Sequence, residues 1–462
     1  MQHPAFSDDA SAAVPIRLVP GPSWPDEAVR LDDAAARFAA SCGFAAKPGE
    51  VCLLPGPDGA LGLVLFGLGD DPFGAGKLPG ILPPGTYRFD GELPDPDTAV
   101  LAFLLGAYRF DRYKERPARA VRLVPPEGVD PAELGRIASA VAAGRDLVNL
   151  PANDLGPDGI EDAARAVAER GGADVEVIVG DDLLDANLPL IHAVGRAAER
   201  APRLIDLTWG AEDAPLVCVV GKGVAFDTGG LDIKPSAAML LMKKDMGGAA
   251  AALALADMVM GAGLALRLRV LIPAVENAIS GSSFRPGDVL RSRKGLTVEI
   301  GNTDAEGRLI LADALALADE DEPELVVDLA TLTGAARVAL GPELPPVYTR
   351  DEALAADVLR LGEAVADPVW RLPLWPGYEA MLDSKIADIT NAPAGGFAGS
   401  ITAALFLSRF VSRARAHLHA DIYAWNPKGR PGRPEGGEVQ CARLLYALLK
   451  ERYPPPGGAG AR

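Results

Sequence analysis

The chain has 462 residues, 49% apolar, 23% charged and 6% aromatic, which are globular proportions and exclude a disordered or fibrous protein. With 45 Lys and Arg against 63 Asp and Glu the formal net charge is −18, a surface that repels phosphate backbones and argues against a nucleic-acid partner. Four cysteines without a C-x-x-C pair form no disulfide framework and read as reduced, mostly buried thiols.

The first ten residues, MQHPAFSDDA, carry two acids and neither a basic stretch nor an apolar run, so they are not a secretory signal. Residues 1–125 alternate short apolar runs, LGLVLFGL at 61–68 and AVLAFLL at 99–105, with Pro- and Gly-rich turns. They read as a smaller N-terminal α/β domain with no cluster of ligand-type residues. A break at 125–128 leads into a linker helix, with residues 126–146 forming the connection.

From residue 147 the pattern is regular. Buried strands are expected at 173–179, 216–220, 268–272, 296–300 and 325–329, with Ala-rich helices at 247–260 and 306–318. Apolar strands alternating with helices indicate a larger C-terminal α/β domain, 147–452, with a mostly parallel, helix-covered sheet. In such sheets ligands gather outside the carboxyl ends of the strands. Residues 246–266 carry one charge, Asp257, but are mostly Ala and Gly, too weakly hydrophobic to favour a bilayer. They read as a buried helix followed by a turn, so no membrane partner is expected and a cytoplasmic location is. The last ten residues, 453–462, contain PPPGGAG and read as a disordered tail.

Two segments concentrate charge beside apolar strands. Residues 219–248 read VVGKGVAFDTGGLDIKPSAAMLLMKKDMGG, and 300–309 read IGNTDAEGRL. Each starts where a buried strand is expected to end. Together they offer Lys222, Asp227, Lys234, Asp245, Asp304, Glu306 and Arg308. Four carboxylates at one sheet edge repel one another unless something cationic sits among them. Oxygen-rich sites suit Mg, Mn or Zn, and shared carboxylates can bridge two ions. The alternative from spacing alone is helix capping, with Asp304 capping a helix that begins near Glu306.

VGKGVAFDTGGLDIKPS, then MKKDMGGAAA, NTDAEGRL and DLATLTGA, together with RDLVNLPAND at 145–154, resemble the leucyl (cytosol) aminopeptidase family. The likeness runs from about Arg145 to about Leu445, and its most specific block is NTDAEGRL. The resemblance implies a two-metal exopeptidase. One tightly held ion would take Lys222, Asp227, Asp245 and Glu306, and an exchangeable neighbour Asp227, Asp304 and Glu306. Zn or Mn would serve, with Mg or Co as further candidates. Lys234 would remain protonated and polarise the scissile carbonyl, while Arg308 would hold a bicarbonate that relays a proton. Met242, Thr331, Leu332 and Gly334 would line or orient the substrate. Small peptides with a free amine, leucine or another apolar residue first, would be the substrates, and peptide turnover in the cytoplasm the duty. The family also implies a homohexamer.

His417 and His419 alternate in AHLHADIYAW and read as one face of a strand rather than as ligands. Asp232, Lys243 and Lys244 read as solvated or as supports to the cluster. Thr228 stands where the family commonly has Ser, and residues 423–440 are longer and more polar than the family's short glycine-rich connection. Competing readings are a DNA-binding architectural hexamer, which the charge opposes, and another two-metal hydrolase.

Overall fold

A computed structural model describes residues 3–117 and 120–457, and the chain divides into two compact units. One comprises Met1–Ala142 with Lys428–Glu435, the other Ala143–Pro427 with Gly436–Arg462. Of the tail read as disordered, residues 458–462 lie outside the described residues.

The smaller unit is built on β1 (Val14–Pro20), β2 (Val51–Pro55), β3 (Leu61–Leu68), β4 (Gly85–Phe89) and β5 (Val121–Val124), in the order β2-β3-β1-β4-β5. Only the β2–β3 pair is antiparallel. The apolar run 61–68 is a strand, whereas 99–105 lies in the helix Pro96–Gly106, whose residues 99–105 are all buried. Period alone does not separate two apolar runs of this length. Residues Lys428–Glu435, far away in sequence, join this unit: Gly432 lies against Phe73 and Gly76, and the Arg433 guanidinium stands 4.5 Å from the Phe73 ring centre. The excursion is pinched off at its base, where Trp425–Asn426 pairs with Gly436–Gly437.

In the larger unit the strands begin with β6 (Asp174–Val179), β7 (Arg203–Trp209), β8 (Leu216–Gly221), β9 (Gly223–Asp227) and β10 (Arg267–Asn277). They continue with β11 (Val289–Arg291), β12 (Thr297–Glu299), β13 (Leu325–Ala330), β14 (Pro346–Tyr348), β15 (Trp370–Arg371), β16 (Ile389–Thr390) and β17 (His417–Asp421). The main sheet runs β15-β14-β17-β13-β8-β10-β7-β6, with β9 also on β10. Its centre, β17-β13-β8-β10, is parallel. The apolar β8 and the wholly buried β13, apolar but for Asp328, suit strands covered on both faces. Helix Gly247–Ala262 packs with Pro157–Gly171 and Ala442–Arg452, and helix Glu306–Asp319 with Pro189–Gly195 and Gly399–Ser408. Both central helices are buried nearly all round; Gly247–Ala262, apolar on almost every side, requires this in water, whereas Glu306–Asp319 also buries the charged Glu306, Arg308, Asp313 and Asp319.

Two strand expectations need correction. Residues 173–179 form an edge strand, antiparallel to β7, with alternating exposure. The polar Asp174 and Glu176 in ADVEVIV mark a half-solvated strand, not a buried one. Residues 296–300 leave the main sheet and form the short β12, paired with β11 and β16. All four cysteines are free, with Cys42 exposed and Cys52, Cys218 and Cys441 buried.

Candidate metal centre

The parallel strands bring their carboxyl ends to one edge, and the charged residues collect there. β8 ends at Gly221 and β9 starts at Gly223, both running along β10, so Lys222 occupies the jog between two strands. Its amide donates to Leu329 O at 3.0 Å, and its carbonyl accepts from Ala249 N at 2.9 Å, which ties the jog to β13 and to the central helix. Close approach here needs glycine. A Cβ on Gly248 would lie 2.0 Å from Leu329 O, and one on Gly307 would lie 2.5 Å from Lys222 Cε.

Lys222 Nζ stands 2.8 Å from Asp245 Oδ2 and 3.0 Å from Glu306 Oε1, and donates to Thr331 O at 2.8 Å. Asp245 comes from the 3-10 turn Met242–Met246, and its Oδ1 accepts from the Thr331 hydroxyl at 2.8 Å. Asp227 ends β9, and its Oδ1 accepts from Gly229 N and Asn277 Nδ2 at 2.9 and 2.8 Å. Lys234 Nζ reaches Asp227 Oδ2 at 2.7 Å and pairs closely with Asp304. Asp227, Asp245 and Glu306, all buried, each offer an oxygen within 4.8 Å of the others.

The capping alternative fails on geometry. The residue capping helix Glu306–Asp319 is Ala305, with no side-chain cap, and the Asp304 carboxylate turns to Lys234. Four carboxylates therefore face two ammonium groups. Burial resists the charge on Lys222, but Asp245, Glu306 and Asp227 outweigh it and hold its pKa above the ordinary lysine value. Lys234 is raised in the same way, burial being overcome by Asp227, Glu306 and Asp304. Burial and the Asp227 charge push Glu306 well up, and burial with the Asp227 charge takes Asp304 to about 6. Glu306 Oε2 is buried without a hydrogen-bond partner. A buried carboxylate oxygen without a donor is costly, and a cation is the group that relieves it. The donor set, carboxylates plus one amine, fits a hard to borderline divalent ion.

Arg308 is buried on the same helix, donates from Nη1 to Asn391 O at 2.5 Å, and leaves Nε without a partner. Burial lowers its pKa to about 10. Thr331 is buried, Leu332 and Met242 are half-buried and Gly334 is exposed, so the substrate-lining candidates grade from the cluster outward.

Residues 142–446 match the family model described as "Cytosol aminopeptidase family, catalytic domain", and residues 14–126 match "M17 aminopeptidase, N-terminal domain". The chain belongs to the cytosol aminopeptidase family. It is thus a peptide hydrolase of a metal-dependent aminopeptidase family, and the smaller unit, where no family motif was legible, belongs to the same architecture. A probable cytosol aminopeptidase of Roseiflexus castenholzii is 41% identical over 377 residues, 77% of each chain. One from Syntrophotalea carbinolica is 42% identical over 372 residues, 76% of this chain and 74% of that one. The crystal structure of a cytosol aminopeptidase from Coxiella burnetii superposes with a TM-score of 0.93 at 44% identity, covering 96% of this chain and 98% of that one. The bottromycin maturation enzyme BotP in complex with Mn gives a TM-score of 0.87 at 35% identity, covering 96% and 100%.

Around the aminopeptidase cluster the motifs leave Asn277 unmarked, while Asp232 and Lys244 lie inside them. Asn277, at the end of β10, donates to Asp227 Oδ1 and to Thr303 O. Its position at a strand's carboxyl end was the available signal. Asp232 is exposed, yet its carboxylate accepts from Thr303 N at 2.8 Å and fixes the turn before Asp304. Lys244 is buried rather than solvated, with its ammonium 4.5 Å from the Tyr423 ring centre. His417 and His419 do share one strand face, and both meet Asp328, at 2.8 and 2.6 Å.

Proposed function

We propose that the protein removes N-terminal residues from short peptides at a centre for two divalent cations. Lys222, Asp227, Asp245 and Glu306 would hold one, and Asp227, Asp304 and Glu306 the other, with Zn or Mn the first candidates and Mg or Co also suited. The observation that carries this is Glu306, buried between Lys222 and Asp227 with one oxygen partnerless. Bound there, such ions acidify a water and polarise the peptide carbonyl.

The chain's own residues do the rest. Lys222 would hold an ion only as the neutral amine, so loading would release its proton to solvent. Lys234 keeps its proton, because Asp227 and Asp304 hold it, and presents an ammonium to the oxyanion that develops on the carbonyl. Arg308, with a free Nε, is suited to hold a bicarbonate that relays a proton from the attacking water. Thr331, Leu332 and Gly334 orient the substrate main chain, and Met242 flanks its first side chain. A free α-amine is required, and leucine or another apolar first residue is favoured. We place this work in the cytoplasm, in peptide turnover, by a homohexamer.

The test is hydrolysis of leucine p-nitroanilide by metal-stripped protein, before and after adding Mn or Zn. Parallel arms use Asp304→Ala and an N-acetylated substrate. Restored cleavage that is lost in the variant and on blocking the amine supports the reading. Cleavage of a phosphoester with none of the peptide amide overturns it in favour of another two-metal hydrolase.

A further inference from the structure

The segment Thr331–Gly334 is held at both ends, and only one end is held by the acidic cluster. Thr331 belongs to that cluster: its carbonyl accepts from Lys222 Nζ and its hydroxyl donates to Asp245 Oδ1, both at 2.8 Å. The following residues are held by Asp421, the last residue of β17, buried at 2% exposure. Its Oδ1 accepts from Leu332 N at 3.0 Å and Thr333 N at 3.1 Å. Its Oδ2 accepts from the Thr333 hydroxyl at 2.6 Å and the Ser400 hydroxyl at 3.2 Å.

All four groups on Asp421 are donors, which an acceptor-only carboxylate suits. Thr333 has little freedom to do otherwise. Its Oγ1 already accepts from Ala336 N at 3.1 Å, capping the helix Gly334–Leu340, so its proton must go elsewhere, and Asp421 takes it. Behind Asp421 a polar chain crosses the sheet: Ser400 pairs with Tyr348 Oη at 2.5 Å, Tyr348 stacks on His419 at 5.6 Å, and His419 pairs with Asp328. Asp421 is thereby fixed from the strand side while it fixes the loop.

We infer that Asp421 is a positioning residue for the aminopeptidase reaction, holding the Leu332 and Thr333 amides so that the 332–334 segment presents a set main-chain edge to the substrate. This rests on the function proposed above. It touches no substrate atom; it acts through the loop. Because Thr331 is held separately, loss of Asp421 releases the substrate-facing residues and leaves the carboxylate cluster intact.

The experiment compares Mn-loaded wild type, Asp421→Ala and Asp421→Asn on leucine p-nitroanilide, with bound Mn and the urea unfolding transition measured for each. In Asp421→Ala, KM rises about tenfold while kcat stays within about threefold and bound Mn is unchanged, since misorientation weakens substrate binding by roughly one lost pair of hydrogen bonds. Asp421→Asn keeps an Oδ1 for both amides and returns most of that loss, to about threefold above wild type. An Ala variant with wild-type KM overturns the assignment, as does one in which Mn content and kcat fall with KM unchanged. Should the Ala variant not fold, the Asn variant decides: raised KM at unchanged Mn supports the role, wild-type KM overturns it. A wild type that cleaves no free-amine substrate overturns the proposed function and this role with it, whereas an active wild type beside unshifted variants overturns Asp421 alone.

Discussion

Glu438 and Glu306 are buried in the same unit, and their surroundings differ in one respect. Glu438 Oε1 accepts from Arg145 Nε and Val439 N, both at 3.1 Å, and its Oε2 from Arg145 Nη2 at 2.8 Å and Asn426 Nδ2 at 3.0 Å. Every oxygen has its donors. Burial pushes its pKa up, but Arg145 and Asn426 outweigh burial and hold it down near 2. Glu306 is more deeply buried and faces Lys222, yet it also faces Asp227, Asp245 and Asp304 and keeps one oxygen without a donor, so its pKa is raised. A saturated carboxylate is a structural tie, whereas an unsaturated one among like charges is a place prepared for a cation.

Substitution of each glutamate in turn sharpens the contrast. In Glu306→Gln, kcat/KM on leucine p-nitroanilide falls by about 10³-fold, the scale of losing transition-state electrostatics. The urea midpoint of the metal-stripped variant stays at the wild-type value, because no saturated tie is broken. Glu438→Ala does the opposite to stability, costing about 3–5 kcal/mol in urea unfolding, because Arg145 loses the carboxylate it faces in the interior.

Acid separates the two sites next. A carboxyl whose folded pKa lies below its ordinary value stabilises the fold above that ordinary value and stops doing so as pH falls through the folded one. Glu438 therefore supports the fold above about pH 4.5, and that support fades as pH drops toward about 2. Asp328, held near 2 because His419 and His417 outweigh its burial, adds to the same slope. Stability measured against pH should decline more gently over this window in Glu438→Gln than in wild type. Adding Mn to stripped wild type at about a hundred times its Kd raises stability by about 2.7 kcal/mol, read as a Tm increase. Glu306→Gln loses that increase. The smallest effect is the control: Arg360 and Glu451 pair at 2.6 Å, but both are about half exposed, so Arg360→Ala leaves the urea midpoint at the wild-type value.

Much of the cluster was legible because its members sit in two short stretches whose residue types and strand-end positions are local facts. Lys222, Asp227, Lys234, Asp245, Asp304 and Glu306 all reach one edge of the sheet. The supports were harder to read. Asn277 and Asp421 end strands that carry other polar residues, Arg269 and Glu276 in β10 and His417 and His419 in β17, so nothing nearby in sequence singles them out. Residues 423–440 stood out as long and polar, but their division, with Lys428–Glu435 joining the smaller unit and Gln440 holding the amides of Tyr423 and Ala424 at 2.9 Å, depends on contacts distant in sequence. The edge position of β6 was written in Asp174 and Glu176, although the surrounding valines read as a buried run.

Residue chemistry, helix and strand periods and the motif spacings belong to the sequence itself, because they depend on neighbours a few positions away. Those were enough to give the α/β class and the acidic edge. Tertiary structure decided which charges are satisfied. Glu306 and Glu438 have the same side chain, and only packing gave one a guanidinium fork and the other a set of carboxylates. Hydrogen bonds and Coulomb interactions act over a few ångströms of space, whatever the distance along the chain.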